Sequence, residues 1–306
     1  MYLSHFGLSE PPFNITPDTS FFFACADYQQ ALNTLLIAIR NGEGFIKITG
    51  EVGTGKTLLC RQFLASINQK FDAASINKEG TAPGATITQQ HFITAYIPNP
   101  YLEPRTLLLA LADEIGIVLR KNADQHQLIK SLAVALLEFA GQGKQVVLCL
   151  DEAQAMPLES MEAIRLLTNL ETEKRKLLQI VLFGQPELNL RLQQDSVRQF
   201  NQRITFHYHL SPLIRRDLDH YLAHRLAVAQ GNHAAPGRPL FKRSAVSVLH
   251  AASGGIPRLV NILAHKALML TYGEGRQRVE ARHVHAAARD TESARQGLWR
   301  WLAMLS

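Results

Sequence analysis

The stretch GEVGTGKT, residues 50–57, constrains this chain more than any other feature. A β-branched apolar run precedes it at 45–49, and an amphipathic run follows at 58–67. Because three of its eight residues are glycines, the backbone can curl and direct several N–H groups toward one point. A helix that starts near Lys56 adds the positive end of its dipole. The pattern therefore predicts a phosphate-binding loop rather than a chance glycine-rich turn.

The side chains of this stretch suit ATP with Mg²⁺. Lys56 would bond the β- and γ-phosphates, and Thr57 would offer its hydroxyl to the metal ion. The other residues predicted to bind the nucleotide are Gly50, Glu51, Val52, Gly53, Thr54, Gly55 and Leu58.

Apolar runs of strand length alternate with helical patterns through the first two thirds of the chain. Strands are predicted at 44–49, 92–97, 145–150, 177–184 and 204–210, and helices at 57–69, 104–116, 124–141 and 158–171. Such alternation is typical of an α/β fold, with a parallel sheet covered by helices on both faces. From about residue 212 only helical patterns follow, at 214–230, 241–253, 257–272 and 281–303. We expect an α/β nucleotide-binding domain, 1–211, and a smaller all-α lid domain, 212–306.

Three details complete this outline. The first 26 residues contain FGLSEPPF, which is rich in proline and aromatic residues and reads as an extended, docked arm. Asp27 and Gln30 have the spacing of a capping box, which predicts the start of a helix that Gly42 ends. Residues 71–91 show no helical period, and we expect a surface insertion or loop there.

A second part of a nucleotide site is predicted at VVLCLDEAQ, residues 146–154. It is an apolar strand that ends in two carboxylates, and ligands gather at the carboxyl ends of parallel strands. There Asp151 would hold Mg²⁺ through water, and Glu152 would polarise the attacking water as general base. The alternative is that the Asp-Glu pair only caps a helix.

Polar side chains further along the chain add candidate catalytic and sensing residues. Gln185 ends an apolar strand, where it could contact γ-phosphate or orient water, or serve only as a turn residue before Pro186. Arg203 precedes the last strand, and Arg198 lies five residues earlier. Either arginine could reach the γ-phosphate of a neighbouring subunit or be a surface residue. Arg258 starts a lid helix, from which it could fold over the phosphates.

Composition limits the class of protein. The 306 residues are 46% hydrophobic and 19% charged, which is typical of a globular protein, and no apolar run approaches the ~20 residues of a membrane span. FFFACA, residues 21–26, ends like a signal-peptidase site, but it is short and no basic segment precedes it. Cys25, Cys60 and Cys149 have no metal-binding spacing, so we expect reduced thiols and a cytoplasmic protein.

The charge is uneven along the chain. Residues 1–190 carry 15 basic and 19 acidic side chains, a net charge of −4, whereas residues 191–306 carry 17 and 7, a net charge of +10. The basic part is either a solvated surface or the contact for an acidic partner: a neighbouring subunit's nucleotide, nucleic acid or anionic lipid.

Taken together, these motifs resemble the AAA+ ATPases, and more narrowly the ExeA/GspA group of secretion and pilus-assembly ATPases. The resemblance covers residues 1 to about 290, and it is carried by MYLSHFGLSEPPFNITPD, GEVGTGKT, AYIPNPYLEP, DEAQAMP, LFGQPEL, NQRITFHYHL and GGIPRLVNIL. It implies Walker A roles for Lys56 and Thr57 and Walker B roles for Asp151 and Glu152. By the same resemblance, the sensor 1, arginine-finger and sensor 2 roles fall to Gln185, Arg203 and Arg258.

The resemblance also implies a cellular role. We expect a homo-oligomeric ATPase, for which a ring is one arrangement, that works with inner-membrane components of a type IV pilus or a type II secretion-like machine. Larger group members continue into a membrane helix and a peptidoglycan-binding module, whereas this chain stops at Ser306. In this it is most like the ATPase-only members that are associated with mannose-sensitive haemagglutinin (MSHA) pili.

Two other functions stay open at this stage. One is a DNA-dependent ATPase regulator of the kind that selects transposition targets. The other, which Glu152 disfavours, is a nucleotide-binding scaffold with negligible turnover. The tail ESARQGLWRWLAMLS is likewise open, since its tryptophans at 299 and 301 either pack on the lid or lie at an anionic membrane surface.

Overall fold

The computed structural model describes residues 2–16, 18–76, 91–119, 122–169, 171–172, 175–231 and 239–294. The chain divides into two units, each with its own internal contacts. The α/β unit consists of Tyr28–Gly50 and Leu59–Leu210. The helical unit consists of the described residues within Met1–Asp27, Glu51–Leu58 and Ser211–Ser306.

A parallel sheet of five strands forms the centre of the α/β unit. In chain order the strands of the chain are β1 Phe45–Gly50, β2 His91–Ile97, β3 Lys144–Leu150, β4 Glu171–Thr172, β5 Arg175–Lys176, β6 Leu178–Gly184 and β7 Ile204–Leu210. The sheet has the order β2-β3-β6-β1-β7, and the short β4 and β5 form a separate antiparallel pair. The five long strands confirm the α/β prediction and lie within one residue of the predicted bounds.

The helices within the described residues belong to both units. They are α1 Tyr2–His5, α2 Ala26–Arg40, α3 Lys56–Ile76, α4 Pro104–Glu114, α5 Gln125–Gly141, α6 Leu158–Leu167, α7 Glu187–Leu192, α8 Arg198–Asn201, α9 Arg215–Gln230, α10 Arg243–Ser253, α11 Pro257–Gly273 and α12 Ala281–Arg289. Pro104 opens α4, where its missing N–H costs nothing.

Alternate residues of β3 show that helices cover both faces of the sheet. Leu148 belongs to an apolar core that includes Leu111 of α4 and Leu132 of α5. Cys149 points to the opposite face, where its thiol hydrogen-bonds that of Cys60 on α3. Burial raises the pKa of the Cys60 thiol well above its ordinary value. All three cysteines are buried and form no disulfide, which confirms the prediction of reduced core thiols at Cys60 and Cys149.

Because the strands are parallel, their carboxyl ends meet at one edge of the sheet. Gly50, Leu150 and Gly184 are the last residues of β1, β3 and β6, which are neighbours in the sheet. Each of these strands is buried along almost its whole length. The segments that follow them therefore leave the sheet from adjacent points.

In the helical unit the N-terminal arm packs on α9. Arg225 of α9 is 6% exposed, and its Nε donates to the carbonyl oxygen of Pro12 at 2.5 Å. Its guanidinium carbon lies 4.6 Å from the centre of the Phe21 ring, within cation–π range. The backbone N–H of Ser9 donates to the carbonyl of Ala229 at 2.8 Å.

Three predicted boundaries are wrong. The α2 helix begins at Ala26, so Asp27 lies in its first turn instead of capping it; its Oδ2 accepts from the backbone N–H of Ser211 at 2.9 Å. Helix α3 continues to Ile76, six residues into the predicted loop, and the rest of that segment, 77–90, lies outside the described residues. Helix α6 ends at Leu167 rather than at residue 171, which is instead the first residue of β4.

Two further predictions concern the end of the chain. Helix α12 ends at Arg289, where a helix was predicted to continue to residue 303. The tail from residue 295 onward lies outside the described residues, so its two alternatives stay open. Within the described ranges, no helix is both long enough and apolar enough to cross a membrane.

Candidate functional site

The phosphate loop, residues 50–57, begins at the last residue of β1 and ends in the first turn of α3. Its backbone turns through Gly53 and Gly55, which have φ values of +83° and +97°. Residues other than glycine rarely adopt this left-handed region. A Cβ atom on Gly53 would also lie 2.6 Å from Cβ of Arg258. Glycine at position 53 is therefore required both by the backbone and by its neighbour.

Lys56 is the first residue of α3 and is 5% exposed. Its Nζ donates to the carbonyl oxygen of Glu51 at 2.9 Å, and the Thr54 hydroxyl donates to the same oxygen at 2.8 Å. The first N–H groups of a helix have no partner within the helix, and its dipole favours an anion at that end. A buried ammonium, a helix N-terminus and two left-handed glycines together fit the phosphate chain of a nucleotide.

The carboxylate turn, residues 151–156, follows β3 in the α/β unit. Asp151 is 2% exposed, its N–H donates to the carbonyl of Ile97 at 3.0 Å, and its Oδ1 accepts from the N–H of Glu152 at 3.0 Å. The Tyr96 hydroxyl donates to Asp151 Oδ2 over 3.5 Å. Burial, aided by the Asp151 charge, raises the pKa of Tyr96 to about 12, so this phenol keeps its proton.

Glu152 has an unusual backbone and a constrained side chain. Among the described non-glycine residues it alone has a positive φ, +51°. Its Oε2 accepts from Gln154 Nε2 at 2.5 Å and from Gln185 Nε2 at 3.1 Å. Glu152 precedes a short 3₁₀ turn, Ala153–Ala155, but its side chain makes no capping bond to it. This geometry differs from that of the simple helix cap considered from the sequence.

The structure brings Gln185 to the carboxylate, as the strand order suggests. Gln185 follows β6, which is the neighbour of β3, and its amide reaches Glu152 directly. Sequence reasoning missed Gln154, whose amide contacts both residues: Nε2 donates to Glu152 and Oε1 accepts from the N–H of Gln185 at 3.0 Å. The only signal available was the position of Gln154 within DEAQ.

The two candidate trans-acting arginines differ in their surroundings. Arg203 is half-buried and donates to the Thr168 hydroxyl at 2.8 Å, to the carbonyl of Arg165 at 3.3 Å and to the side chain of Asn169. Arg198, the first residue of α8, is exposed, and its side chain forms no hydrogen bond or ion pair within the described part of the chain. Arg203 would have to leave these partners to reach a neighbouring subunit, whereas Arg198 would not.

Arg258 lies beside the phosphate loop within the helical unit. It follows Pro257 in the first turn of α11, and its backbone N–H donates to the carbonyl of Gly53 at 3.1 Å. Its side chain is exposed, and no ion pair holds its guanidinium within the described ranges. The start of α11 is thus fixed to the loop while the cationic end of Arg258 stays available.

Comparison with known proteins gives related families and folds. A family model described as AAA domain matches residues 39–192. General secretion pathway protein A of Aeromonas hydrophila is 38% identical over 300 residues, which are 98% of this chain and 50% of that protein. The chain therefore spans about half the length of this curated relative.

Solved structures are similar at low sequence identity. The ORC2 protein of Aeropyrum pernix, in ADPNP–ADP complexes, has a TM-score of 0.62 and 15% identity over 90% of this chain and 72% of its own. Cdc6p of Pyrobaculum aerophilum has a TM-score of 0.59 and 16% identity over 89% and 70%. The RuvB Holliday junction branch migration motor of Thermotoga maritima has a TM-score of 0.52 and 14% identity over 88% of this chain and 70% of its own. At these identities the similarity is evidence for the fold alone.

Proposed function

The chain belongs to the AAA domain family, and from this premise we propose that it binds ATP with Mg²⁺ and hydrolyses it to ADP and phosphate. One observation carries the proposal. The buried Lys56 ammonium lies at the start of α3, in a loop whose Gly53 and Gly55 have left-handed backbones. That arrangement supports phosphate binding by the loop residues 50–58.

The proposed roles of the side chains follow the chemistry of phosphoryl transfer. Lys56 would bind the β- and γ-phosphates. Thr57 would hold Mg²⁺ through its hydroxyl, and Asp151 would hold it through water. The metal ion would neutralise charge on the phosphate oxygens. Glu152 acts as general base, because its carboxylate, which the bond from Gln154 holds in the carboxylate turn, can accept a proton from the attacking water.

Three further side chains are proposed to sense the nucleotide or to stabilise charge. Gln185 orients water or contacts γ-phosphate, which its bond to Glu152 supports. Arg258 reports the presence of γ-phosphate from the start of α11, which its backbone bond to Gly53 supports. Arg203, or alternatively Arg198, stabilises transition-state charge in a neighbouring subunit of an oligomer.

We further propose that hydrolysis drives or regulates assembly of a secretion or pilus machine. The 38% identity to General secretion pathway protein A supports a secretion-associated role. The narrower assignment, to an MSHA-like type IV pilus and an ATPase like MshM, rests on the sequence resemblance alone. We place the protein in the cytoplasm or at the inner-membrane surface, with inner-membrane components as partners and anionic lipid as a peripheral contact.

The DNA-dependent alternative is supported by one observation, the net charge of +10 over residues 191–306. A nucleic-acid contact made through basic side chains weakens steeply as salt rises, because counterions are released on binding. Turnover that rises strongly with duplex DNA and loses this rise between 50 and 200 mM salt would favour the alternative.

The experiment that tests the proposed reaction is phosphate release from ATP with and without Mg²⁺. Lys56→Ala serves as the blank that corrects for contaminating ATPases. We expect release by the wild type that requires Mg²⁺ and that Lys56→Ala lacks. Release that is equal in both proteins, or absent from both, would contradict the proposal. A pull-down from native membranes with Glu152→Gln, which should hold ATP without turnover, would then identify partners.

A further inference from the structure

The side-chain amide of Gln154 uses both of its ends within the candidate site. Its Nε2 donates to Glu152 Oε2 at 2.5 Å, and its Oε1 accepts from the backbone N–H of Gln185 at 3.0 Å. If the amide were flipped, its oxygen would face a carboxylate oxygen and its NH₂ group would face an N–H donor. These partners therefore determine its orientation.

The backbone and surroundings of Gln154 are held as well. Arg191 of α7 donates to the carbonyl oxygen of Gln154 and, at 2.7 Å, to that of Met156. Gly184 at the end of β6 leaves room for the amide, because a Cβ atom there would lie 3.2 Å from Gln154 Oε1 and 2.8 Å from Leu188 Cδ2. Elements β6 and α7 thus define where the amide lies.

This amide bears directly on Glu152. A non-glycine residue with a φ of +51° carries strain of about 1–3 kcal/mol, and such strain persists only where the surroundings over-determine the conformation. Gln154 and Gln185 both donate to Oε2, whereas Oε1 accepts no hydrogen bond within the described part of the chain. The carboxylate is held by one oxygen and leaves the other to accept a proton.

We propose that Gln154 is a positioning residue, which holds Glu152 by Oε2 and thereby aims Oε1 at the attacking water. Through its own Oε1 it also keeps the carboxylate in register with Gln185 at the end of β6. The inference rests on the proposed ATP hydrolysis, and it assigns Gln154 an effect on the chemical step that acts only through Glu152.

The first test is the steady-state kinetics of Gln154→Ala. Because the Glu152 carboxylate is no longer held in position, we expect kcat to fall by about 10- to 100-fold. The KM for ATP and the Kd for nucleotide should stay as in the wild type. The matched control is Gln142→Ala, which removes an exposed glutamine side chain after α5 and should leave kcat unchanged. In a Glu152→Gln background, single-turnover rates should fall no further when Gln154→Ala is added, because the group that Gln154 positions is already lost.

The second test uses Gln154→Glu, which keeps the size of the side chain. When ionised, the new carboxylate repels Glu152; when protonated, it can donate an O–H to Oε2 in place of Nε2. We expect the ratio of variant to wild-type kcat to rise as the pH falls from 8 to 6. A purely structural role would instead lower the melting temperature and give a loss of turnover with no such pH dependence.

The outcomes separate this inference from the function on which it rests. Absent release of phosphate by the wild type would remove both. The positioning role alone would be overturned if Gln154→Ala had the wild-type kcat while the wild type turned over ATP and Glu152→Gln did not. Additive losses in the double variant, or a raised KM with unchanged kcat, would overturn it too. If Gln154→Ala does not fold, the pH dependence of Gln154→Glu decides.

Discussion

The phosphate loop and the carboxylate turn stabilise left-handed backbone conformations in different ways. The phosphate loop uses glycines, which have no side chain, whereas the carboxylate turn uses side-chain hydrogen bonds. Gly53 and Gly55 supply left-handed residues at no steric cost. Glu152 adopts the same region as a non-glycine residue, with its carboxylate bonded to Gln154 and Gln185. The comparison suggests that the loop is specialised to bind and the turn to orient a reacting group.

The two strands that lead to these segments differ in where their polar side chains lie. Strand β1 buries the polar Lys47 and Thr49, whose side chains bond Asn189 and the imidazoles of His207 and His209. Strand β3 has polar residues only at its start, Lys144 and Gln145, and is apolar from Val146 to Leu150 up to the turn. Substitutions in the two regions should therefore separate binding from turnover.

The largest effects are expected from Lys56→Ala and Glu152→Gln. Loss of the Lys56 ammonium should abolish detectable ATP binding and turnover together. Glu152→Gln keeps the shape but not the base, so it should bind ATP normally and turn over at least about 100-fold more slowly. Nucleotide titration and phosphate release measure the two quantities. Ordinary turnover by Glu152→Gln would remove its assigned role and, with it, the distinction between the two regions.

The next largest effect tests whether one subunit contains every residue that the proposed hydrolysis requires. If an arginine acts in trans, turnover per subunit rises with protein concentration as oligomers form. We expect Arg203→Ala to bind ATP yet to lose about tenfold or more of that rise. It should also lower the melting temperature, because it removes the bonds to Thr168 and Asn169, whereas Arg198→Ala should not. Loss of the rise in Arg198→Ala alone would reassign the finger to that exposed residue.

A smaller effect is expected from Gly53→Ala in the phosphate loop. The new Cβ meets Arg258 at 2.6 Å in a backbone with φ of +83°, so we expect a loss of about 1–3 kcal/mol in stability and weaker ATP binding. The matched control is Gly116→Ala, which has φ of +74° but open space around the added methyl group. Equal losses in the two variants would show that backbone strain alone decides, and that the Arg258 contact adds nothing.

The features that sequence predicted well depend on local pattern. The five long strands are apolar runs, and burial on both faces makes such runs readable to within a residue. The glycine and lysine positions of the phosphate loop are likewise local. Contacts that join distant residues could not be read in this way. Asp27 has the spacing of a cap but bonds Ser211, and the Gln154 contact with Gln185 depends on two separate strand ends.

The smallest expected effect concerns the polar side of β1. The pKa of His207 is lowered by partial desolvation, by the Lys47 charge and by the His209 charge, while its Nε2 lies 3.2 Å from the Thr49 hydroxyl. As the pH falls through 6.5, the unfolded chain binds a proton at this residue, whereas the folded chain binds it only at lower pH, so acid favours unfolding. Because the imidazole is exposed, solvent screens the effect, and between pH 8 and 5.5 we expect the wild type to lose only about 1–2 °C more in melting temperature than His207→Gln. The control His126→Gln changes an exposed histidine on α5 and should follow the wild type. A pH dependence that is the same in all three proteins would show that the His207 contact to β1 has no energetic weight.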